Sequence, residues 1–167
     1  NVVSTLGNDT LDQKLMNYIL DPKAEYGEPV LKRGLIIGDV QSGKTSTYIG
    51  FICKAADAGY KVFILLTGTI EPLRKQTQER VEEGFIGIDM SANTTGGKRV
   101  GVGLDNKPIH AMALTSRASD FRGNSDKIAV SLGADKDAVV FVIKKNTTTL
   151  TKLTKWLIDL NADPLTQ

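Results

Sequence analysis

The chain has 167 residues, of which 41% are hydrophobic and 24% are charged, a composition that fits a globular domain and excludes a disordered or fibrous chain. The formal net charge of +2 neither requires nor excludes a nucleic-acid partner. The single cysteine, Cys53, cannot form an intramolecular disulfide, and no apolar run approaches the roughly 20 residues of a membrane span. We therefore expect a cytoplasmic protein.

The first part of the chain predicts helices and strands in alternation. Apolar residues at helical spacing predict an N-terminal helix over residues 10–20, and residues 22–30 resemble a linker with two prolines. The apolar run at residues 34–38 is typical of a buried parallel strand. A helix from about Gly43 to Asp57 and a second buried strand at residues 61–66 are expected to follow.

The remainder of the chain continues this alternation. A proline near its start and a glycine after its end predict a helix from Glu71 to Glu83. Residues 110–115 and 139–143 are two further apolar strands, and residues 127–132 are a weaker candidate. Leucines at helical spacing predict a final helix over residues 150–160.

Strands that are continuous apolar runs, separated by helices, indicate a mainly parallel sheet covered on both faces. The predicted fold class is therefore α/β with three layers. The predicted organisation is an N-terminal helix and linker in residues 1–30, followed by one lobe in residues 31–167.

Residues 38–45 (GDVQSGKT) match the phosphate-binding motif G-x-x-x-x-G-K-[ST] in full, and they lie between a predicted strand and a predicted helix, as this P-loop requires. Backbone amides and the helix dipole would form the anion site, and the glycines would let the backbone approach the phosphates. Lys44 is expected to reach the β- and γ-phosphates and Thr45 to ligate Mg²⁺, which makes them the candidate catalytic residues. The residues predicted to bind the nucleotide are Gly38, Val40, Gln41, Ser42, Gly43, Lys44, Thr45 and Ser46.

Further segments extend the pattern beyond the loop. They are residues 54–61 (KAADAGYK), 65–69 (LLTGT), 73–80 (LRKQTQER), 115–116 (TS), 120–122 (DFR) and 142–146 (VIKKN). Together with the P-loop, these segments resemble the Z-one domain family, P-loop ATPases of bacteria and phages that are associated with endonucleases. The resemblance covers residues 33–160.

That family is similar to the first motor lobe of superfamily 2 helicases and translocases. The resemblance implies a RecA-like P-loop fold, ATP and Mg²⁺ as cofactors, and DNA as a partner in a restriction or phage-defence setting. It also implies contacts with the nucleic-acid backbone from two strand ends, through Thr67, Gly68, Thr69, Arg74, Gln76, Lys144, Lys145 and Asn146. Alternatively, Lys144 and Lys145 are a solvated strand end and Thr69 caps a helix.

One part of the motor pattern is not found. Superfamily 2 motors carry an acidic pair after a further strand, whereas Asp159 here lies within a helical pattern. The chain opens at Asn1 without a methionine and reaches Gln167 about where the resemblance would place that strand. We therefore expect a fragment that lacks the second motor lobe and any nuclease part, binds ATP weakly and hydrolyses it poorly.

Other residues that could take part in a functional site have simpler structural interpretations. His110 is the single histidine and cannot form a metal site alone, so a core or strand-end role is expected. Cys53 and Trp156 are expected to pack against apolar neighbours, although Trp156 could also stack on a base. Asp120 and Arg122 flank an aromatic residue, and an internal ion pair is slightly favoured over nucleic-acid contact.

Two other functions remain open. The first is a regulatory nucleotide-binding module without motor activity, and the second is a small-molecule kinase. The choice of ATP over GTP follows from the resemblance, because no glutamine motif that would select adenine precedes Gly38.

Overall fold

The computed structural model describes residues 31, 33, 35, 37, 43–91, 97–105, 111–122 and 138–162. The chain divides into two compact units, Asn1–Tyr60 and Lys61–Gln167, and each is described by itself. Several predictions lie outside the described residues: the helix at 10–20, the linker at 22–30, the loop at 38–42, the strand at 127–132 and His110.

The described part of the first unit contains one helix, α1 (Lys44–Ala58). Gly59 ends it in the left-handed conformation, with φ of 109°, and donates its backbone N–H to the carbonyl of Ala56 at 2.9 Å. Ile49, Ile52 and Ala55 are buried on one face at helical spacing. The helix predicted from the sequence is confirmed with small shifts at both ends.

The buried strand predicted at residues 34–38 is wrong for the residues that the structure describes there. Leu35 and Ile37 lie outside any strand, and their side chains are 83% and 86% exposed. An apolar run shows that a segment would gain from burial, but the pairing partner decides whether a strand forms.

The second unit alternates strands and helices. In chain order its elements are β1 (Val62–Thr67), α2 (Glu71–Val81), a π-helix (Glu82–Ile86), β2 (Ile88–Asp89), β3 (Lys98–Arg99), a 3-10 helix (Gly101–Asp105), β4 (Ala111–Ala113), β5 (Ala138–Lys144) and α3 (Thr147–Ala162).

A parallel sheet with the strand order β1-β5-β4 forms the centre of this unit. β1 pairs with β5 along its whole length, from Val62 opposite Val139 to Thr67 opposite Lys144. Residues 139–143 of β5 are fully buried, with 0% exposure. The predicted α/β class with a parallel sheet and the strand at residues 139–143 are thereby confirmed.

Alternate residues of β5 enter two separate cores. One core consists of Phe121, Val139, Phe141, Ile143, Leu153 and Trp156. The other consists of Val81, Ile86, Val140 and Val142. Because successive residues of a strand point to opposite faces, α3 covers one face of the sheet and α2 with the π-helix covers the other. The second unit therefore has the layers helix, sheet and helix.

β1 is a strand, as predicted, but it is not fully buried. Phe63 and Leu65 pack into the core beside α2, whereas Ile64 and Leu66 on the opposite face are 38% and 52% exposed. Among the described strands, β1 lies at an edge of the sheet, where the cover from α3 is incomplete.

The helix predicted from Glu71 to Glu83 ends differently. Its α-helical part stops at Val81, and the π-helix continues the segment to Ile86. Gly87, with φ of 77°, ends it by donating its N–H to the carbonyl of Glu82. The sequence indicated Gly84 as the glycine that ends this helix. The residue that ends the helical segment in the left-handed conformation is instead Gly87, three positions later.

Between these helices and β4, the described residues form a short antiparallel ladder of β2 with β3. The backbone of Gly87 lies so close to that of Gly103 that a Cβ on either residue would overlap the other. Among the described helices, none combines the length and the apolar character that crossing a membrane requires.

Candidate nucleotide and nucleic-acid sites

The first candidate site is the N-terminus of α1. Gly43 precedes the helix with φ of 79° and ψ of 16°, a left-handed conformation that glycine adopts without strain. The carbonyl of Gly43 accepts hydrogen bonds from the backbone N–H of Thr47 at 3.1 Å and from its hydroxyl at 3.2 Å. This glycine therefore sets the direction in which the chain enters the helix.

The first turn of α1 presents its side chains to solvent. Lys44, Thr45 and Ser46 are all exposed. The turn carries no acidic residue, and its N-cap residue is Gly43, which has no side chain with which to cap the helix. The positive end of the helix dipole thus lies beside a lysine and two hydroxyls, an arrangement suited to an anion. The structure describes these three predicted residues and Gly43, and the predicted residues 38–42 lie outside the described part.

The second candidate site lies in the second unit, where β1 and β5 end. Thr67 and Lys144 are opposite each other in the parallel ladder. The Thr67 hydroxyl lies within hydrogen-bond distance of two carbonyl acceptors, those of Ile143 at 3.1 Å and Gly68 at 3.2 Å. We call the cluster of Thr67, Glu71, Arg74, Asp120 and Lys144 the carboxyl-edge cluster.

Lys144 is held by two carboxylates in this cluster. Its Nζ lies 2.8 Å from Oε2 of Glu71 and 3.9 Å from Oδ2 of Asp120. The same oxygen of Asp120 accepts the backbone N–H of Lys144 at 3.3 Å. Hydrogen bonds from Arg74 and then from Lys144 lower the pKa of Glu71 to about 2. Glu71 is therefore a carboxylate at any physiological pH.

Arg74 lies beneath the surface and is 0% exposed. Its Nε and Nη2 contact Oε1 of Glu71 at 2.8 and 2.7 Å, and its Nη2 donates to the carbonyl of Arg117 at 3.1 Å. Among the described residues, its Nη1 has no hydrogen-bond partner. Arg74 orients Glu71 and the loop after β4, and its guanidinium is closed off from a large ligand.

A row of buried polar residues continues from Arg74 along α2. Gln78 is 0% exposed and donates from Nε2 to the carbonyl of Thr115 at 3.0 Å and to Oε1 of Glu82 at 3.0 Å. The Thr115 hydroxyl donates to Oε1 of Gln78 at 2.8 Å and accepts the N–H of Val142 at 2.9 Å. Helix, loop and central strand are thus joined by polar contacts in which both partners are buried.

Arg117 fixes the loop after β4 to three carboxylates. It reaches Glu82 at 2.8 Å, Glu79 at 3.3 Å and Asp89 at 3.4 Å. Burial raises the pKa of Glu82, although hydrogen bonds from Gln78 and Arg117 oppose that effect. A hydrogen bond from Ser91 lowers the pKa of Asp89. Ion pairs of Arg117 therefore hold the loop against α2, the π-helix and β2.

The eight residues for which the resemblance implied nucleic-acid contact fall into different settings. Gly68, Thr69, Gln76 and Lys145 are exposed. Thr67 and Lys144 lie opposite each other where β1 and β5 end, and Arg74 is buried. The amide oxygen of Asn146 accepts the N–H of Thr149 at 2.8 Å and so caps α3.

Sequence reasoning missed Glu71 and Asp120 as partners of Lys144. The three-residue spacing of Glu71 and Arg74 on one helix signals only their own ion pair and not the contact of Glu71 with Lys144. No local pattern joins Asp120 to Lys144, because 24 residues separate them in the chain.

The predicted ion pair within the segment 120–122 is not the contact that the structure shows. Asp120 contacts Lys144 instead, and Arg122 is exposed. Phe121 is 5% exposed, and its ring lies 5.2 Å from that of Phe141 in edge-to-face geometry. The loop is therefore anchored by an aromatic side chain in the core.

Trp156 takes the packing role that the sequence indicated. Trp156 is 9% exposed, and its ring centroid lies 5.0 Å from that of Phe141. Cys53 is half-buried on α1. Burial, followed by the charge of Asp57, raises the pKa of the Cys53 thiol to about 11. That thiol is mostly protonated near neutral pH, which makes it a poor nucleophile.

Comparisons of the chain with protein-family models, with curated proteins and with solved structures gave no significant match. Within the described ranges, no group of three or more histidine, cysteine, aspartate or glutamate side chains is arranged to hold a metal ion.

Proposed function

We propose that this chain is the ATP-binding lobe of a nucleic-acid-directed P-loop ATPase of the helicase or translocase type, with a RecA-like fold. The parent protein would serve a restriction or phage-defence endonuclease. The observation that carries the proposal is the turn into α1, where Gly43 with φ of 79° is followed by exposed Lys44, Thr45 and Ser46. A left-handed glycine directly before a helix, followed by an exposed lysine and threonine, fits the helix end of the motif G-x-x-x-x-G-K-[ST].

The chemistry of the exposed turn supports a nucleoside triphosphate. Lys44 supplies a positive charge and the helix N-terminus supplies oriented N–H groups for the phosphates. The Thr45 hydroxyl is an oxygen ligand of the kind that Mg²⁺ uses together with phosphate oxygens and water. These residues fit the cofactor pair ATP and Mg²⁺, which would supply phosphoryl-transfer chemistry when bound.

The parallel sheet of the second unit supports the nucleic-acid part of the proposal. Ligands of open α/β sheets bind beyond the carboxyl ends of the strands, and Thr67, Thr69 and Lys145 lie there. Hydroxyls, backbone amides and lysines are the groups that contact nucleic-acid phosphates. The exposed members of the predicted set are therefore available for such contacts, whereas Arg74 takes a positioning role.

Calorimetry with ATP and GTP in the presence of Mg²⁺ tests the proposal, with and without single- and double-stranded DNA. We expect Lys44→Ala to weaken ATP binding at least about 10-fold, because it removes the charge that faces the phosphates. The control is Lys152→Ala, which removes an equal charge from an exposed position on α3.

Each outcome has a defined meaning. ATP binding that depends on Lys44 and is strengthened by DNA supports a motor lobe. ATP binding that is indifferent to DNA points to the regulatory nucleotide-binding module instead. Equal binding by both lysine variants, or none at millimolar nucleotide, overturns the proposal.

A further inference from the structure

Glu71 is shared between two cations of different exposure. One of its carboxylate oxygens contacts the guanidinium of Arg74 at 2.7 and 2.8 Å, and the other contacts Nζ of Lys144 at 2.8 Å. The side chain of Arg74 is 0% exposed, whereas that of Lys144 is 25% exposed. The carboxylate therefore joins a buried positive charge to one at the surface.

The two contacts of Glu71 differ in how easily they can be exchanged. A buried guanidinium needs an anion beside it, so Arg74 keeps Glu71 in place. Glu71 also lies in the first turn of α2, where the helix dipole favours a negative charge. Lys144 has a flexible stem and access to solvent, so its ammonium can turn to another anion without uncovering a buried charge.

Lys144 stands where a nucleic-acid backbone would approach the second unit. It ends β5 opposite Thr67, and exposed Lys145 follows it. In the structure Lys144 already has a carboxylate at 2.8 Å, so a phosphate must compete with that contact. None of the described ion pairs includes Lys145, so no described carboxylate restrains its ammonium group.

We propose that Glu71 acts as a resident competitor of the nucleic-acid backbone: it holds Lys144 in the free protein and thereby sets the affinity and salt dependence of binding at the carboxyl edge. This inference rests on the proposed function, since it concerns the same nucleic-acid surface. Glu71 is a positioning residue here, because it acts through Lys144 and makes no contact with the nucleic acid itself.

Glu71→Gln removes the charge of the carboxylate nearest to Lys144 and leaves Asp120 at 3.9 Å from the ammonium. The new amide oxygen can still accept the hydrogen bonds of Arg74, although the buried guanidinium loses its anion at a cost in stability. We expect binding of a fluorescein-labelled single-stranded oligothymidine to tighten about 3- to 10-fold at low salt. The slope of log affinity against log salt should steepen by about 1, because one more phosphate is neutralised.

The matched control is Glu83→Gln, which makes the same charge change in the π-helix, where Glu83 pairs with Arg80 at 3.6 Å on the surface. A general charge effect would move both variants equally. Lys144→Gln should weaken binding little in the wild-type background and should remove the whole gain in the Glu71→Gln background. Fluorescence of the buried Trp156 verifies that each variant is folded.

Fluorescence anisotropy over a salt series gives outcomes that separate the two proposals. A gain in Glu71→Gln that exceeds the gain in Glu83→Gln and needs Lys144 supports the competitor role. Equal gains, or a gain that survives Lys144→Gln, overturn it while the proposed function stands. If neither the wild type nor any variant binds the oligonucleotide at low salt, the nucleic-acid part of the proposed function fails, and this inference fails with it.

Discussion

The Thr115 hydroxyl is a sensitive point for perturbing the second unit. It continues the pairing with β5 beyond the end of β4: the N–H of Leu114 donates to the carbonyl of Val140 at 3.0 Å, and the Thr115 hydroxyl then accepts the N–H of Val142 at 2.9 Å. It also donates to Oε1 of Gln78 at 2.8 Å. Thr115→Val keeps the shape of the side chain and removes both hydrogen bonds.

The expected cost follows from the two groups that lose their partner. The N–H of Val142 and the amide oxygen of Gln78 belong to residues that are 0% exposed. Each unsatisfied buried group costs about 1–3 kcal/mol, and the added methyl group returns about 0.8 kcal/mol of hydrophobic free energy. The free energy of unfolding should therefore fall by about 1–5 kcal/mol.

Urea unfolding followed by the fluorescence of Trp156 measures this change in the unit that contains the network. With a urea dependence of about 2 kcal/mol/M, the midpoint should fall by about 0.5–2.5 M. Thr115→Ser retains the hydroxyl and should recover most of the loss, and Thr154→Val on the exposed face of α3 should stay within about 0.5 kcal/mol of the wild type. A Thr115→Val midpoint equal to the wild type, or a Ser variant as unstable as the Val variant, would refute the hydrogen-bond argument.

Two further predictions use the shifted pKa values. Iodoacetamide should alkylate Cys53 about 100-fold more slowly in the native chain than in urea, because the pKa of about 11 in the fold compares with 9.0 for an unperturbed thiol; equal rates would contradict this burial. Glu71 has a folded pKa of about 2 against 4.5 unperturbed, so its stabilisation is present above the unfolded value and is lost as the pH falls from 4.5 towards 2. The wild type should therefore lose more stability than Glu71→Gln between about pH 5 and about pH 3 in urea titrations, and parallel losses would show that the ion pairs of Glu71 do not stabilise the fold.

Regular elements with strong local signals could be predicted from the sequence. The continuous run at residues 139–143 specifies a strand buried on both faces, and Gly59 marks the end of α1. Burial of individual strands was less predictable. The run at residues 61–66 looks equally buried, yet Ile64 and Leu66 are largely exposed because burial depends on which elements cover each face.

The candidate sites also differ in how far the sequence predicts them. The P-loop motif is local in sequence, so its residues could be named without a structure, and Gly43 has a left-handed conformation that glycine adopts without strain. The buried row of Arg74, Gln78 and Glu82 was not predicted, although its members repeat every four residues along α2 and into the π-helix. Polar residues at that spacing usually indicate a solvated face, and only the contacts with Thr115 and Arg117 show that this face is internal.

The central position of β5 imposes an order on biosynthesis. Of the described strands, β5 is the last to be translated, yet β1 and β4 both pair with it. The contact between Thr67 and Ile143 spans 76 residues, so at about 5–20 residues per second β1 waits roughly 4 to 15 s for its partner. During that interval the apolar strand β1 has not yet paired with β5. An unpaired apolar strand can associate with other nascent chains or bind chaperones. The rate of translation through residues 68–137 is therefore a determinant of how much of this protein reaches its native sheet.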